Sequence, residues 1–331
     1  MVLEISSLSK DIHFSVLNKV PLIQLPVNLN LAYAIYLDKV FHYLLLQKSK
    51  YIILDCSQIT FIDSSGVGLL IKFFQKAQHK NTNVVIWSIN SHIQKVLLEA
   101  GINPIFFDNK SSAISLSERK QIKNPLIKVH LSVESRLKRA IDIIGALVGL
   151  GLVLVLFVPI AIAIKIDSPG PIFFSQTRCG LLGRRFRIWK FRSMVINAED
   201  LKKQVENQVN GPFFKNKSDP RITRVGYFLR RTSLDEIPQF WNVLKGDMSL
   251  VGTRPPTCDE VEQYSLQMWQ RLNVRPGITG QWQTNGRSQI CDFNEVLKLD
   301  LDYQKRWSVF YDIKLILKTL LVVFREKSSA L

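Results

Sequence analysis

Residues 143–164 read IIGALVGLGLVLVLFVPIAIAI, a run of 22 residues without a charged side chain. An α-helix needs about 20 consecutive apolar residues to cross the hydrocarbon core of a bilayer, which is about 30 Å thick. A buried helix of a soluble protein is the alternative. It is disfavoured because Leu, Val and Ile occupy every side of the run, whereas a surface helix keeps a polar face. The run therefore predicts a membrane segment.

Basic residues flank this run at both ends. They are Lys128, Arg136, Lys138 and Arg139 before it, and Lys165, Arg178, Arg184, Arg185, Arg187, Lys190 and Arg192 after it. A segment that crosses once should be basic mainly on its cytoplasmic side. Pro159 offers a break in the helix, and an arm over residues 143–158 would reach about 24 Å, short of a full crossing. A re-entrant segment with both ends in the cytoplasm is therefore favoured over a spanning helix.

The charge of the chain is unevenly distributed. The net charge is +17, and residues 1–108 hold only nine of the 44 Lys and Arg and seven of the 27 Asp and Glu, which leaves +15 for residues 109–331. The difference indicates two modules, and the basic one should meet an anionic membrane face, phosphorylated substrates or nucleic acid. Because no nucleic-acid-binding motif is present, we predict no nucleic-acid partner.

The cysteines and the first residues indicate the compartment. Cys56, Cys179, Cys258 and Cys291 are far apart in sequence, which predicts reduced thiols and neither a metal knuckle nor a redox pair. The first residues mix polar and apolar side chains, unlike a signal peptide. We therefore expect both globular parts in the cytoplasm.

Residues 20–108 alternate short apolar runs with helical patterns. The predicted strands are 20–25, 51–55, 83–87 and 105–107, and the predicted helices are 30–47, 66–78 and 91–100, the last closed by Gly101. Such alternation is typical of an α/β layer.

The run DCSQITFIDSSG at residues 55–66 leads from a strand into a helix. It resembles the STAS domain, the fold of anti-sigma-factor antagonists, and the resemblance covers about residues 15–108. In that family the serine after the aspartate can be phosphorylated by a partner kinase, and Ser64 holds this position. A phosphate near a helix N-terminus is favoured by free N–H groups. Alternatively, Asp63 and Ser64 only cap the helix. We interpret residues 1–108 as a regulatory or docking domain and 109–134 as a linker.

Residues 135–331 contain several short motifs in order. They are KRAID (138–142), DSPGP (167–171), QTRCG (176–180), KFRSM (190–194), LRRTSLDEIPQFWNVLKGDMS (229–249), TRP (253–255), RPGITG (275–280) and NGR (285–287). The set resembles the bacterial sugar transferases, monotopic polyprenyl-phosphate sugar-phosphate transferases, over about residues 136–319. Two departures are Val158 before Pro159, where the family has Ser-Pro, and Thr253 where the family has the first proline of Pro-Arg-Pro. The resemblance implies an α+β membrane-associated catalytic domain with a re-entrant membrane helix.

The resemblance also implies a reaction and its residues. A sugar-1-phosphate would pass from a nucleotide sugar, such as a UDP-hexose, to polyprenyl (undecaprenyl) phosphate. Asp235 would be the nucleophile, forming a phosphosugar–aspartyl intermediate. Glu236 would assist, and Mg²⁺ or Mn²⁺, with Asp235 as a ligand, would neutralise phosphate oxygens. This would be the first membrane step of exopolysaccharide, capsule or O-antigen-type glycan synthesis, at the cytoplasmic face of the bacterial inner membrane. The resemblance does not specify which sugar is transferred.

Arginine binds phosphate because its planar fork donates to two oxygens. Arg230, five residues before Asp235, is the first candidate for a substrate phosphate. Arg254, Arg275 and Arg287 are the next, and each alone could be a solvated surface charge.

Local structure around Asp235 can be predicted from Pro238, which lacks an N–H and fits the first turn of a helix. Asp235 and Glu236 should then lie at or just before a helix N-terminus, where phosphate is favoured. In the alternative, Asp235 is an N-cap, or Ser233 and Glu236 form a capping box.

Two further points stay open. Apolar residues of 313–324, interleaved with Lys314 and Lys318, predict an amphipathic helix that lies on the membrane or packs inside the domain. The alternative function is a regulatory or scaffold protein, in which the STAS-like part binds a protein partner or kinase and the transferase part is inactive.

Overall fold

The computed structural model describes residues 11–17, 20–47, 49–87, 89, 91–101, 130–209, 211–212, 214, 216, 218–285 and 292–328. The chain divides into two units. The first contains Met1–Val129 together with Leu182–Arg185 and Tyr264–Asn273, and the second contains the remainder. Two pieces of the C-terminal sequence thus fold with the N-terminal module. Of the predicted linker 109–134, residues 109–129 lie outside the described residues, and Leu131–Glu134 form one helical turn, α4.

The first unit is built on a four-stranded sheet. Its strands are β1 (His13–Leu17), β2 (Val20–Gln24), β4 (Tyr51–Asp55) and β6 (Asn83–Trp87), in the order β1-β2-β4-β6; β3 (Asn28–Leu29) pairs with β5 (Phe61–Ile62). β1 is antiparallel to β2, whereas β2, β4 and β6 are parallel. Strand β1 was not predicted from the sequence, because all five of its side chains are exposed and form no buried apolar run. The strand predicted at 105–107 lies outside the described residues.

Three helices pack with this sheet: α1 (Leu31–Leu46), α2 (Ser64–His79) and α3 (Ser91–Glu99). Phe41 of α1 stacks on Phe73 of α2 with ring centroids 4.0 Å apart. The side chain of Asn30 caps α1, and Gly101, with φ +95°, follows α3 in the left-handed region. The α/β architecture expected for this module is therefore present.

The second unit is mostly helical. Its helices beyond α4 are α5 (Arg136–Asp167), α6 (Ala198–Leu201), α7 (Arg224–Arg231), α8 (Phe240–Lys245), α9 (Cys258–Glu262), α11 (Gln281–Thr284), α12 (Phe293–Arg306) and α13 (Val309–Ser328); α10 (Leu266–Trp269) belongs to the first unit. Strands β7 (Phe173–Cys179) and β8 (Arg185–Phe191) form one two-stranded sheet, and β9 (Ser249–Val251) and β10 (Gly277–Thr279) form another.

The predicted membrane segment lies within α5, a helix of 32 residues that continues through Pro159 without interruption. Only 22% of the most apolar 18-residue stretch of this helix is buried. Among the described residues, α5 is the one helix that is long and apolar enough to cross a membrane. Leu154 and Ile166 are each about four-fifths exposed. The buried soluble helix is therefore the wrong alternative, and the helix break expected at Pro159 is absent.

The first turns of α5 are anchored by polar contacts. Lys138 is buried, and its Nζ lies 2.6 Å from Asp312 Oδ2. Asp142 accepts hydrogen bonds of 2.9 Å from Ser249 Oγ and the Leu250 N–H. Arg139 donates to the carbonyl oxygens of Val243 and Leu244. Lys138 and Arg139, interpreted above as a topology signal, therefore have structural partners.

Helix α13 has two different faces. Asp312 and Leu315 are buried inside the unit, whereas Phe310, Leu317 and Leu321 are more than half exposed. The helix therefore packs inside the domain with one face, and its other face presents apolar side chains to the surroundings.

Two of the cysteines lie close together in space although they are far apart in sequence. Cys179 and Cys258 are 79 positions apart, yet their sulfur atoms lie 3.8 Å apart because Arg178 and Thr257 form an antiparallel bridge. Their separation in sequence gave no indication that the two sulfur atoms are neighbours. Neither cysteine forms a disulfide bond in the structure.

Candidate active site

A cavity of about 370 Å³ lies in the second unit, a volume suited to a small-molecule ligand. Its lining includes four residues that sequence analysis selected, Arg230, Asp235, Glu236 and Arg254. The structure thus brings together both carboxylates and two of the four arginines predicted for substrate phosphates.

The segment around Asp235 is a 3₁₀-helix, Leu234–Gln239, followed by α8. Side chains three residues apart lie on the same side of a 3₁₀-helix. Leu234 and Ile237 pack on the cluster formed by Ile160 and Ile164 of α5 with Leu229. Asp235 and Glu236, which lie between them in sequence, line the cavity. Packing against α5 therefore positions the carboxylates.

The local predictions from Pro238 are confirmed in part. Asp235 and Glu236 lie in the first turn of a helix, as predicted, but that helix is 3₁₀ and Pro238 lies further inside it, not in the first turn of an α-helix. Ser233 has φ +56° and makes no capping hydrogen bond through its side chain, so neither an Asp235 N-cap nor the Ser233–Glu236 capping box is formed. The cause is the packing of Leu234 and Ile237, which overrides the local preference of proline.

Lys190 pairs with Glu236. Its Nζ lies 2.8 Å from Glu236 Oε1, and both residues line the cavity. Asp235 is buried, with 6% of its surface exposed. The sequence showed Lys190 only as a flanking charge, because its partner Glu236 lies 46 positions away in the chain.

Arg254 is not a solvated surface charge. Its Nη1 lies 3.1 Å from Glu260 Oε2, and its guanidinium lies 6.0 Å from the centre of the Trp282 ring. The buried Glu260 balances part of its charge while Trp282 supports the planar group.

The other predicted arginines have different surroundings. Arg230 is exposed in the last turn of α7 and lines the cavity. Arg275 is not among the lining residues, and its Nη1 donates to the Val133 carbonyl oxygen at 3.3 Å. Arg287 lies outside the described residues. A phosphate-binding role for Arg275 therefore has no support from the geometry of this cavity.

Arg178 is a lining residue whose role sequence analysis missed. Its Nη1 donates to the Pro255 carbonyl oxygen at 3.0 Å, and its Nε is buried without a hydrogen-bond partner in the described part of the chain. Burial, followed by the repulsion of Arg254, lowers the pKa of the Arg178 guanidinium to about 10. The group is still cationic at neutral pH. The motif QTRCG was the available signal.

The carboxylates that line the cavity are suited to a divalent metal ion that binds together with substrate phosphates. Glu199, Asp235, Glu236 and Glu260 line the cavity, but the described residues contain no cluster of three or more side chains that could hold a metal ion. Mg²⁺ is commonly held by one or two carboxylates together with substrate phosphates. The donor set therefore fits Mg²⁺ or Mn²⁺ bound with a diphosphate.

Ser64 lies in the first unit and is completely buried. Its Oγ donates to the Trp269 carbonyl oxygen at 2.5 Å. Asp63 is the cap of α2, because its side chain accepts from the Gly66 N–H. The capping interpretation thus holds for Asp63 but not for Ser64, whose hydroxyl is closed to a kinase in this conformation.

Comparison with known proteins agrees with these features. Residues 133–326 match the family model of the bacterial sugar transferases, and residues 14–119 match the STAS domain. The galactosyl transferase CpsE of Streptococcus agalactiae is 44% identical over 268 residues, covering 79% of this chain and 58% of the relative. The UDP-glucose:undecaprenyl-phosphate glucose-1-phosphate transferase of Escherichia coli is 43% identical over 62% of this chain and 44% of its own length.

The undecaprenyl-phosphate galactose phosphotransferase of Salmonella typhimurium is 41% identical over 58% of this chain and 41% of its own length. The chain thus spans about half the length of these curated relatives. The family match covers more than half of this chain and contains the whole cavity with its carboxylate pair. With a STAS domain preceding that match, the chain belongs to the bacterial sugar transferase family.

Proposed function

We propose that the protein transfers a sugar-1-phosphate from a UDP-sugar to undecaprenyl phosphate, with Asp235 as the nucleophile. The observation that carries this proposal is the cavity in which Asp235 and Glu236 lie with Arg178, Arg230 and Arg254. The names of the relatives, which specify UDP-glucose, galactose and undecaprenyl phosphate, support the substrate classes.

The chemistry exchanges one diphosphate for another, so the barrier arises mainly from an anion attacking an anion. The Asp235 carboxylate would attack the phosphorus that bears the sugar, and the bond to the nucleotide phosphate would break, releasing UMP. The lipid phosphate would then attack the same phosphorus and restore the carboxylate. Two easier steps replace one difficult step.

The basic residues of the cavity reduce the repulsion between these anions. Arg178, Arg230 and Arg254 supply cations next to the phosphates, and fixed cations stabilise charge as it develops in the transition state. Lys190 holds Glu236 at 2.8 Å and thereby fixes the carboxylate beside the nucleophile. A bound Mg²⁺ or Mn²⁺, held by Asp235 with Glu236 nearby, would neutralise phosphate oxygens.

We also propose that the chain sits on the cytoplasmic face of the inner membrane, with both ends of α5 on the same side. Lys138 near one end pairs with Asp312, and Ile164 near the other end packs with Leu229, all within one unit. A straight crossing would separate these ends by the hydrocarbon core. The exposed middle of α5 and the apolar face of α13 would then enter one leaflet.

Exposed aromatic residues support the same orientation. Tyr227, Phe228 and Trp241 are each about half exposed or more. Such side chains are common at membrane–water interfaces, where an apolar ring and polar headgroups meet. The membrane step would belong to exopolysaccharide, capsule or O-antigen-type glycan synthesis.

The experiment that tests the activity is UMP release from UDP-sugars by the purified membrane protein. Without the lipid acceptor we expect one UMP per protein and a mass gain of one sugar phosphate on the peptide that contains Asp235. Asp235→Asn should lose both signals. Full turnover by Asp235→Asn would exclude this carboxylate as the nucleophile. If the wild type releases no UMP from any UDP-sugar, that result would favour the alternative function as a regulatory or scaffold protein.

The regulatory role of Ser64 stays a separate proposal. A protein partner or kinase that modifies Ser64 would require residues 264–273 to leave α2, because the Ser64 hydroxyl is bonded there. Phosphopeptide mass spectrometry of protein from its native host tests it, and an unmodified Ser64 under all growth conditions would contradict it.

A further inference from the structure

Residues 264–273, which we call the docked segment, lie within the sugar transferase match but fold as part of the first unit. The segment consists of α10 followed by the 3₁₀-helix Gln270–Asn273. Helices this short are not stable alone in water, because few hydrogen bonds offset the cost of nucleation. Its order therefore depends on what it contacts.

The N-terminal half of α2 supplies these contacts. Ser64 Oγ donates to the Trp269 carbonyl oxygen at 2.5 Å, and the Ser64 N–H donates to Asn273 Oδ1 at 3.1 Å. Ser65 Oγ donates to the Leu266 carbonyl oxygen at 3.0 Å. Both serines are completely buried, so these bonds are shielded from water.

The same face of α2 also contacts the docked segment one and two helical turns after Ser64. Lys72 Nζ donates to the Tyr264 carbonyl oxygen. Gly68 lies between, where a Cβ atom would overlap with the indole ring of Trp269. Gly183, with φ +81°, contacts the same ring, and a Cβ there would lie 2.9 Å from Trp269 Cζ3. Trp269 is 2% exposed, so two glycines make room for a buried indole.

The interior of the docked segment is equally closed. Tyr264 and Arg271 are completely buried, and an Arg271 Nη1–H donates to Tyr264 Oη at 2.5 Å. This bond joins the first part of the segment to the last. The segment therefore behaves as one folded piece held by α2.

The chain connects this piece directly to the cavity. Four positions before it, Glu260 pairs with Arg254, and four positions after it, Gly277 lines the cavity and pairs in parallel with β9. Both ends of the docked segment thus continue into elements that form the substrate site. Loss of its order would release both.

We infer that the STAS domain acts in cis as a structural partner of the transferase: the face of α2 formed by Ser64, Ser65, Gly68 and Lys72 binds residues 264–273 and thereby orders the substrate cavity. The partner of this surface is part of the same chain. Only the activity measurement of this inference rests on the proposed function. The binding of residues 264–273 to α2 is measured by a separate method that does not depend on activity.

The test uses the full-length protein and two leucine substitutions in the same helix. Gly68→Leu places a side chain where the Trp269 ring lies, whereas Gln75→Leu adds the same side chain at an exposed position of α2. Hydrogen–deuterium exchange follows residues 264–273, with β4 as the control for folding of the module. UMP release follows the cavity.

We expect Gly68→Leu to speed exchange in residues 264–273 at least about tenfold and to lower UMP release, while β4 stays protected and Gln75→Leu behaves as wild type. Unchanged exchange in residues 264–273 would overturn the docking, and faster exchange with wild-type activity would overturn the ordering of the cavity. If Gly68→Leu also speeds exchange in β4, the variant Trp269→Ala replaces it, because it removes the indole ring without adding atoms. The exchange of residues 264–273 and the rate of UMP release then decide in the same way. A wild type inactive with all UDP-sugars would refute the proposed function, and the exchange data would still decide the docking.

Discussion

Replacing Arg178 by alanine should slow the reaction without unfolding the protein. Arg178 lines the cavity with Asp235, and its buried Nε has no hydrogen-bond partner among the described residues. A buried guanidinium N–H without a hydrogen-bond acceptor is costly unless an anion completes its bonding. A phosphate of the nucleotide sugar has the required charge and acceptors, so we expect Arg178 to bind it.

The magnitude follows from the bonds at stake. A hydrogen bond between charged groups contributes about 1.5–3 kcal/mol, and each 1.36 kcal/mol corresponds to a factor of ten in rate. Arg178→Ala should therefore lower kcat/KM by about 10- to 150-fold. Arg178→Lys keeps the charge but loses the planar fork, and should fall between Arg178→Ala and the wild type.

The assay is steady-state UMP release across UDP-sugar concentrations, combined with thermal unfolding. Thr177→Ala is the matched control, because Thr177 is exposed on the same strand and does not line the cavity. Arg178 also donates to the Pro255 carbonyl oxygen, so a purely structural role is the alternative. It would lower Tm and leave kcat/KM of the folded enzyme within about threefold, and that result would refute the phosphate-binding role.

Three further predictions concern the second unit. Gly149→Val should lower the free energy of unfolding by about 1–3 kcal/mol and reduce UMP release, because a Cβ there would overlap with the Phe240 ring. Gly151→Val, which has open space around it, is the control and should leave thermal unfolding and UMP release unchanged. Lys138→Met should destabilise the protein by about 3–5 kcal/mol, since it leaves the buried Asp312 carboxylate without its cation, and a change below about 1 kcal/mol would contradict a buried pair. Chelation with EDTA should abolish UMP release and added Mg²⁺ or Mn²⁺ should restore it; activity that survives chelation would exclude the metal.

Local sequence patterns predicted much of the first unit. β4 and β6 have the predicted bounds and β2 differs by one residue, because each is a short apolar run between polar residues. Their pattern reflects burial within the module itself. β1 escaped because its exposed side chains leave no such pattern.

The two carboxylates that line the cavity show where local patterns fail. The motif around Asp235 selected residues that line the cavity, but the backbone conformation there depends on packing against α5, about 70 residues earlier in the chain. Lys190 and Arg178 acquire their surroundings in the same way, through partners on other elements. Propensity is weak where tertiary contacts decide.

The docked segment also determines whether Ser64 is accessible to a kinase. The STAS resemblance predicts a serine that a kinase can reach, whereas Ser64 is buried under Trp269 by residues that belong to the transferase match. A phosphate at Ser64 would replace the hydroxyl donor by a dianion facing a carbonyl oxygen, so the modified serine could not keep this bond. Modification of Ser64 and binding of residues 264–273 therefore exclude each other. If the docked segment orders the cavity, the state that a kinase can modify is the state with the less ordered active site.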